Sequence, residues 1–201
     1  MSGGGGSPTR LLAGAAAASA AIGWSAARAR RGTVSPAEAR VFHAVNDAPD
    51  ILHPVVWPVM QAGSLGAVFV VAGAVGRRSG RRGAMVVAGV GTAVWGGVKL
   101  VKPAVGRGRP AAHLSDVHVR GPEQTGLGYP SGHAAVSLSL ALVAPTRCGW
   151  LRAGLALAGL TGLARMYVGA HLPLDVLGGY GVGVLAGCAT TVATNVTRKP
   201  A

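Results

Sequence analysis

Charged side chains are scarce in this chain, and acidic ones scarcest. Six Asp and Glu stand against 19 Lys and Arg in 201 residues, and charged residues total 12%. A soluble domain carries about 25%, so an ordinary water-exposed globule is excluded, in keeping with a mean hydropathy of +0.43. Aromatics are 4%; Gly, Ala and Val carry much of the apolar content, as in small-residue helices packed closely in lipid. The two cysteines, Cys148 and Cys188, have no CxxC neighbour and lie at or within apolar segments. A disulfide framework and a thiolate metal site are therefore excluded. The net charge of +13 invites a nucleic-acid reading, but the arginines form no stripe and do not interleave with aromatics. They cluster between apolar runs, at 27–32 (ARARRG) and 76–83 (GRRSGRRG), as the positive-inside bias produces. No nucleic-acid partner is expected.

What is present is a series of apolar runs. Residues 1–10 read as a flexible, Gly-rich tail. Residues 11–24 read either as a first membrane helix, the preferred reading, or as the core of a cleaved signal peptide. Residues 35–46 open with a Ser-x-x-Glu capping box, Ser35 and Glu38. With Ala37, Val41, Phe42 and Val45 on one face, they predict a short amphipathic helix on the membrane surface. Five clearer runs follow, at 55–75, 84–101, 133–143, 153–168 and 172–196, each near the ~20 residues a bilayer requires. They are continuously apolar rather than alternating, which predicts helices and not barrel strands. The expectation is an all-α, polytopic membrane protein of about six transmembrane helices, its single domain covering 11–197. Between the second and third clear runs lies a long polar stretch, 104–130; loops of this length in compact domains are mostly functional or disordered.

Alternating the spans places the basic loops at Arg77–Arg82, Arg147–Arg152 and Arg198–Lys199 on one side, the cytoplasmic one by the charge bias. The opposite face receives Lys102, Arg109, Ser131, His133, Arg165, His171 and Asp175, which are far apart in sequence. Charged groups at membrane depth are costly and signal function. A cluster of cations calls for an anion, and phosphate suits arginine through bidentate geometry. Pro130-Ser131-Gly132-His133 reads as a helix start with Ser131 as N-cap, Gly132 admitting a close ligand and free N–H groups favouring an anion. Pro173 fits a first helical position, leaving His171 just outside that helix and Asp175 in its first turn. The i, i+4 spacing lets Asp175 orient one ring nitrogen of His171 and leaves the other free as a nucleophile. Two histidines at one phosphate permit a division of roles, one attacking phosphorus and one protonating the leaving oxygen.

These segments, KPAVGRGRP (102–110), PSGH (130–133) and ARMYVGAHLPLD (164–175), resemble the three blocks of the type 2 phosphatidic acid phosphatase (PAP2) superfamily: K-x6-RP, PSGH and SR-x5-H-x3-D. The resemblance implies a PAP2/haloperoxidase-like helical core and a bacterial membrane lipid phosphatase. It implies that His171 is the nucleophile forming a phosphohistidine, supported by Asp175, and that His133 is the general acid. Lys102, Arg109 and Arg165 would hold phosphoryl oxygens, with Ser131 and Gly132 adding hydrogen bonds. The family uses no metal or cofactor, fixed cations taking that place, and vanadate is implied as an inhibitor. Ala164 departs from the pattern's serine and removes one hydroxyl contact. The block spacing selects Arg109 over Arg107, which is read as a loop or headgroup contact.

Other readings stand beside this one. A phosphotransferase of the same fold would hand phosphate to an alcohol. A transporter or lipid-binding protein would use the cationic pocket without chemistry. A metal-dependent hydrolase would use His113, Asp116, His118 and His133, a spacing that fits no trusted zinc pattern. Under the preferred reading the partners are the bilayer and a phosphorylated lipid: phosphatidic acid, phosphatidylglycerophosphate, a polyprenyl (di)phosphate or a polyprenyl-linked sugar phosphate. The Ala/Gly/Arg-rich composition tilts this towards a polyprenyl-linked substrate. The site is expected on the extracytoplasmic face of the plasma membrane. Oligomeric state is not legible.

Overall fold

The computed structural model describes residues 7–122, 124–144 and 150–196, and every regular element among them is helical. Helix α1 (Pro8–Ala29) starts within the expected tail, capped by the Ser7 hydroxyl, which accepts from Arg10 N; residues 1–6 lie outside the described part. Then come α2 (Pro36–Asn46), α3 (His53–Gln61), α4 (Leu65–Val105), α5 (Gly132–Val143), α6 (Trp150–Tyr167) and α7 (Pro173–Val196). The sequence expectations at Arg147, Cys148, Arg198 and Lys199 fall outside the described residues.

The run at 55–75 is not one helix. It breaks after α3, and Ser64 starts α4 by accepting from Ala67 N at 3.2 Å. The break lets the chain touch the first turn of α5: a Cβ on Gly63 would lie 2.7 Å from the His133 Cα. Helix α4 is itself bent at Gly80, whose φ of 80° and ψ of 175° are non-helical and favour glycine. Its two arms fold back on each other. Cβ atoms built at Gly83, Gly76 and Gly91 would lie 3.1 Å from Val75, 3.2 Å from Ala84 and 2.6 Å from Val68, an antiparallel register. Arg77, Arg78, Arg81 and Arg82 ride on the bend. The second arm does not stop at Lys102-Pro103, as the sequence suggested. It continues to Val105, where Gly106 in the left-handed region closes it with a 3.0 Å bond to the Lys102 carbonyl.

Among the described residues two helical stretches, 65–112 and 173–195, are long and apolar enough to cross a membrane, yet only 22% and 33% of their apolar windows are buried. The core helix of a soluble protein would be mostly buried. Instead Phe69, Val70, Leu100, Leu155, Leu160, Leu163 and Val192 face outwards, and the inner contacts fall to small residues. Helix α5 is central, packed on α4, α6 and α7, while α1 lies on α7 and α3 on α6. Along α7, Gly179, Gly183 and Gly187 recur every four residues and face α5. Built Cβ atoms would meet Ala134 at 3.0 Å, Ala135 O at 2.9 Å and Leu142 at 2.9 Å. In lipid, where exclusion of water no longer drives association, such close backbone approach is the main source of packing energy.

Helix α2 departs from expectation. Its buried residues are Glu38, Phe42 and Asn46, while Val41 is 52% exposed. It packs over the ends of α6 and α7 instead of presenting an apolar face to a membrane surface. Asn46 fastens it, donating towards the carbonyls of His118, Met166 and Tyr167 and accepting from His118 N. The capping box is half formed: Ser35 Oγ accepts from Glu38 N, but the Glu38 carboxylate turns inward.

The glycine ladder makes a direct prediction. A Cβ at Gly179 would also press on the Ser131 carbonyl, so Gly179→Ala is expected to cost about 1–3 kcal/mol. The measurement is the thermal midpoint in detergent. Gly159, whose Cβ would meet nothing within 4 Å, is the control: Gly159→Ala should leave the midpoint unchanged or higher.

Candidate active site

The C-terminal end of α4, the N-terminus of α5, the C-terminal end of α6 and the N-terminus of α7 converge at one end of the bundle. Backbone bonds tie them: Ser131 N donates to Asp175 O at 2.8 Å, Gly128 N to Arg107 O at 2.7 Å and Arg120 N to Val168 O at 3.3 Å. Lys102, Arg109, His133, Arg165, His171 and Asp175 all come together here; Lys102, Arg109 and Arg165 each lie within electrostatic reach of both His133 and His171.

Ser131 is the N-cap of α5 as expected, its hydroxyl accepting from Ala134 N at 3.5 Å while its carbonyl accepts from Ala135 N. With its own N–H held by Asp175, Ser131 belongs to the frame of the site. The first-turn amides of Gly132 and His133 precede intrahelical pairing and are the donors left for an anion. Pro173 opens α7, with Asp175 in its first turn. Asp175 has no exposed surface. Its Oδ2 accepts from Leu172 N at 2.9 Å and stands 3.5 Å from His171 Nδ1. At that range the contact falls short of a hydrogen bond and Nδ1 has no other partner, but the adjacent carboxylate charge still favours the proton on that nitrogen. Burial first, then the charges of Arg165, Arg109 and Lys102, holds the His171 imidazole well below the ordinary histidine range, against the opposing pull of a Gly128 backbone hydrogen bond. The ring is therefore neutral, as a nucleophile requires.

The cations differ in how far their donors are occupied. Lys102 Nζ donates to the carbonyls of Leu127, Gly128 and Pro130 at 2.8–3.2 Å, pinning the loop before α5. Arg109 reaches Thr125 O and Ala170 O. Arg165 is 4% exposed; its Nη1 meets only the Met60 sulfur, and its Nε is buried without a partner. Arg107 is neither a loop nor a headgroup contact. It is 2% exposed, pairs through both terminal nitrogens with Glu38 at 2.9 and 2.8 Å, and touches Asp175 Oδ1 at 3.2 Å. Sequence spacing missed it because its partners lie 69 and 68 residues away. Glu38, an acid in a chain with few and read as part of a capping box, was the available hint.

The PAP2 superfamily profile matches residues 83–199. This chain belongs to the PAP2 superfamily. It is also 35% identical over 79 residues to an undecaprenyl-diphosphatase of Sulfolobus acidocaldarius, a match covering 37% of each chain, so it spans well under half of that relative. Two solved structures share the fold. One is Aquifex aeolicus LpxE (TM-score 0.67, 23% identity, 75% of this chain and 92% of that one). The other is a transmembrane PAP2-type phosphatidylglycerolphosphate phosphatase from Bacillus subtilis (TM-score 0.65, 17% identity, 89% and 96%). The PAP2 core, with its apolar outer faces, makes this a membrane protein.

Ala164, where the PAP2 pattern has serine, is buried in an apolar cluster with Met60, Tyr167, Val168 and Ala170, so this chain closes that wall with a methyl group. The residues weighed as metal ligands do not converge: Asp116 faces His43 and His118 faces Asp47, each at 3.9 Å. Among the described residues no group of three or more His, Cys, Asp or Glu is placed to hold a metal ion.

A buried neutral histidine predicts a pH signature. The folded state resists protonating His171, while the unfolded chain protonates it near pH 6.5. The stability this contributes is complete above that pH and falls away as pH drops below it. Melting followed by tryptophan fluorescence should show wild type losing stability relative to His171→Asn between about pH 7.5 and 5. A constant difference across that range would mean that the ring is not held neutral.

Proposed function

We propose that this chain is an integral-membrane phosphatase that removes phosphate from a lipid phosphomonoester or diphosphate through a phosphohistidine on His171, without a metal. The observation that carries the reading is a charge imbalance. Of the described acidic residues only Glu38 and Asp175 are buried. They face Lys102, Arg107, Arg109 and Arg165, which leaves two positive charges beside the unpartnered Arg165 Nε. A phosphomonoester near pH 7 carries about −1.5 to −2 and offsets that excess.

The roles follow from position. His171 is neutral and set beside a carboxylate, so its free nitrogen attacks phosphorus as the bond to the lipid oxygen breaks. His133, in the first turn of α5, donates a proton to that oxygen; the bound phosphate's negative charge favours its protonated form amid the cations. In the second step His133 takes a proton from water, which attacks the phosphohistidine and frees inorganic phosphate. Arg165 and Arg109, with the Gly132 and His133 amides, stabilise charge on the phosphoryl oxygens. The layout supports six crossings, made by α1, the two arms of α4, α5, α6 and α7. The basic bend at Arg77–Arg82 would then be cytoplasmic and the site extracytoplasmic at the plasma membrane. The match to an undecaprenyl-diphosphatase favours a polyprenyl-linked substrate.

The test is inorganic phosphate release from undecaprenyl diphosphate, phosphatidic acid and phosphatidylglycerophosphate in detergent with EDTA. Wild type should release phosphate, orthovanadate should inhibit, and His171→Ala should lose at least about 10³-fold in rate. Activity surviving in His171→Ala would overturn the nucleophile. A metal requirement would overturn metal-free chemistry, and transfer to an added alcohol in place of release would make the protein a phosphotransferase. No turnover of any lipid by folded protein would leave a binding or transport role.

A further inference from the structure

The buried cluster holds more than the reaction uses. Glu38 and Arg107 stand behind Asp175, away from the phosphate, and neither belongs to the cations assigned to the phosphoryl group. Arg107 Nη2 meets Glu38 Oε2 at 2.8 Å, and its Nη1 is shared between Glu38 Oε1 at 2.9 Å and Asp175 Oδ1 at 3.2 Å. The side chains of all three residues are 5% exposed or less. Glu38 Oε1 also accepts from Leu174 N at 3.1 Å, so one carboxylate on α2 holds both the guanidinium and the first turn of α7 that carries Asp175.

The geometry matters because a carboxylate rotates about its last bond. Here one oxygen is held by Arg107 and the other by Leu172 N, and the second oxygen is the one that faces His171 Nδ1. Remove Arg107 and only the single bond from Leu172 N restrains that rotation. The guanidinium is itself held in plane by the two-pronged pairing to Glu38, a fork that lysine cannot supply.

We propose that Arg107, braced by Glu38 of α2, is a positioning residue that sets the Asp175 carboxylate and thereby the tautomer and aim of the His171 ring. The proposal rests on the phosphohistidine reading. It adds a helix outside the three motif blocks to the apparatus that orients the nucleophile. Arg107 and Glu38 touch no phosphoryl oxygen, so their loss acts on turnover and leaves substrate affinity in place.

The experiment uses two variants that keep the buried volume, Arg107→Lys and Glu38→Gln, in the full chain in detergent. Melting confirms that each is folded. Steady-state kinetics on the best lipid phosphate should show kcat lowered about 10- to 100-fold for Arg107→Lys, and less for Glu38→Gln, with KM within about twofold. Ring 15N spectra of histidine-labelled protein, assigned with His171→Asn, need no substrate. Wild type should show a single tautomer with Nδ1 protonated, and Arg107→Lys a mixture. Unchanged kcat and an unchanged tautomer in both folded variants would overturn the proposal. So would a raised KM at full kcat, which would make the pair a wall of the phosphate pocket. If wild type turns over no lipid, the functional reading fails on its own, and the ring spectra still decide the positioning role.

Discussion

A carboxylate with no exposed surface must be balanced on every side, because an ionised group removed from water costs several kcal/mol unless paired and hydrogen-bonded. The Asp175 carboxylate is balanced from two segments at once. Arg107 comes from the loop after α4, Leu172 N from the turn before α7, and His171 stands beside the second oxygen. Its main-chain carbonyl takes a third bond, from Ser131 N at the head of α5. All three motif blocks are therefore fastened to one residue. Gly128 shows how tightly: a Cβ there would lie 2.9 Å from Asp175 Oδ2. The end of the bundle is assembled around a negative charge, while the ligand site beside it is assembled around positive ones.

This division suits a bundle that lives in lipid. The outer faces of α4, α6 and α7 are apolar, so water exclusion does little to hold the helices together. Close packing must do so, through the glycine ladder of α7 on α5 and the folded arms of α4. Packing of that kind fixes helix axes but leaves their ends free to splay. Polar bonds at the ends take over where the helices stop: Asn46 ties α2 to α6, and Arg120 bonds the carbonyls of Asn46, Ala48 and Tyr167. The same end then carries both the tightest polar network and the chemistry.

The legible part of the sequence was the local part. An N-cap at Ser131, a proline at the start of α7 and the i, i+4 pair His171–Asp175 involve neighbours in the chain, and each stands where spacing put it. The helical character and apolar faces followed from continuous runs. What could not be read was tertiary. Residues 55–75 read as one apolar run despite Gly63-Ser64, yet Ser64 caps a new helix there and Gly63 admits the close approach of His133. Ser35 and Glu38 satisfy the capping-box pattern, yet Arg107 and Leu174 outcompete the local acceptor role of Glu38. Helix α2 carries apolar residues at the spacing of a surface helix, but its buried face is Glu38, Phe42 and Asn46, two polar residues whose partners are remote. Spacing separates Arg109 from Arg107, two positions away, but nothing local reports that Arg107 is held by Glu38 and Asp175.

The partner a buried arginine takes separates frame from site. Arg107 is fully engaged by carboxylates, so its charge is spent within the protein and its geometry is fixed. Arg165 is as deeply buried, yet its contact is the Met60 sulfur, a weak acceptor, and its Nε has none. A guanidinium is tolerated in so apolar a setting only if an anion arrives to share the cost. Met60 also brings α3 to the edge of the cationic cluster, and α3 with α6 and α2 lines an apolar groove of about 400 Å³ that Ala164 helps to wall. The Ala164 methyl keeps that wall apolar beside Val56, Val59 and Leu163. Charge is thereby confined to the cationic cluster, and the groove beyond Met60 is left apolar.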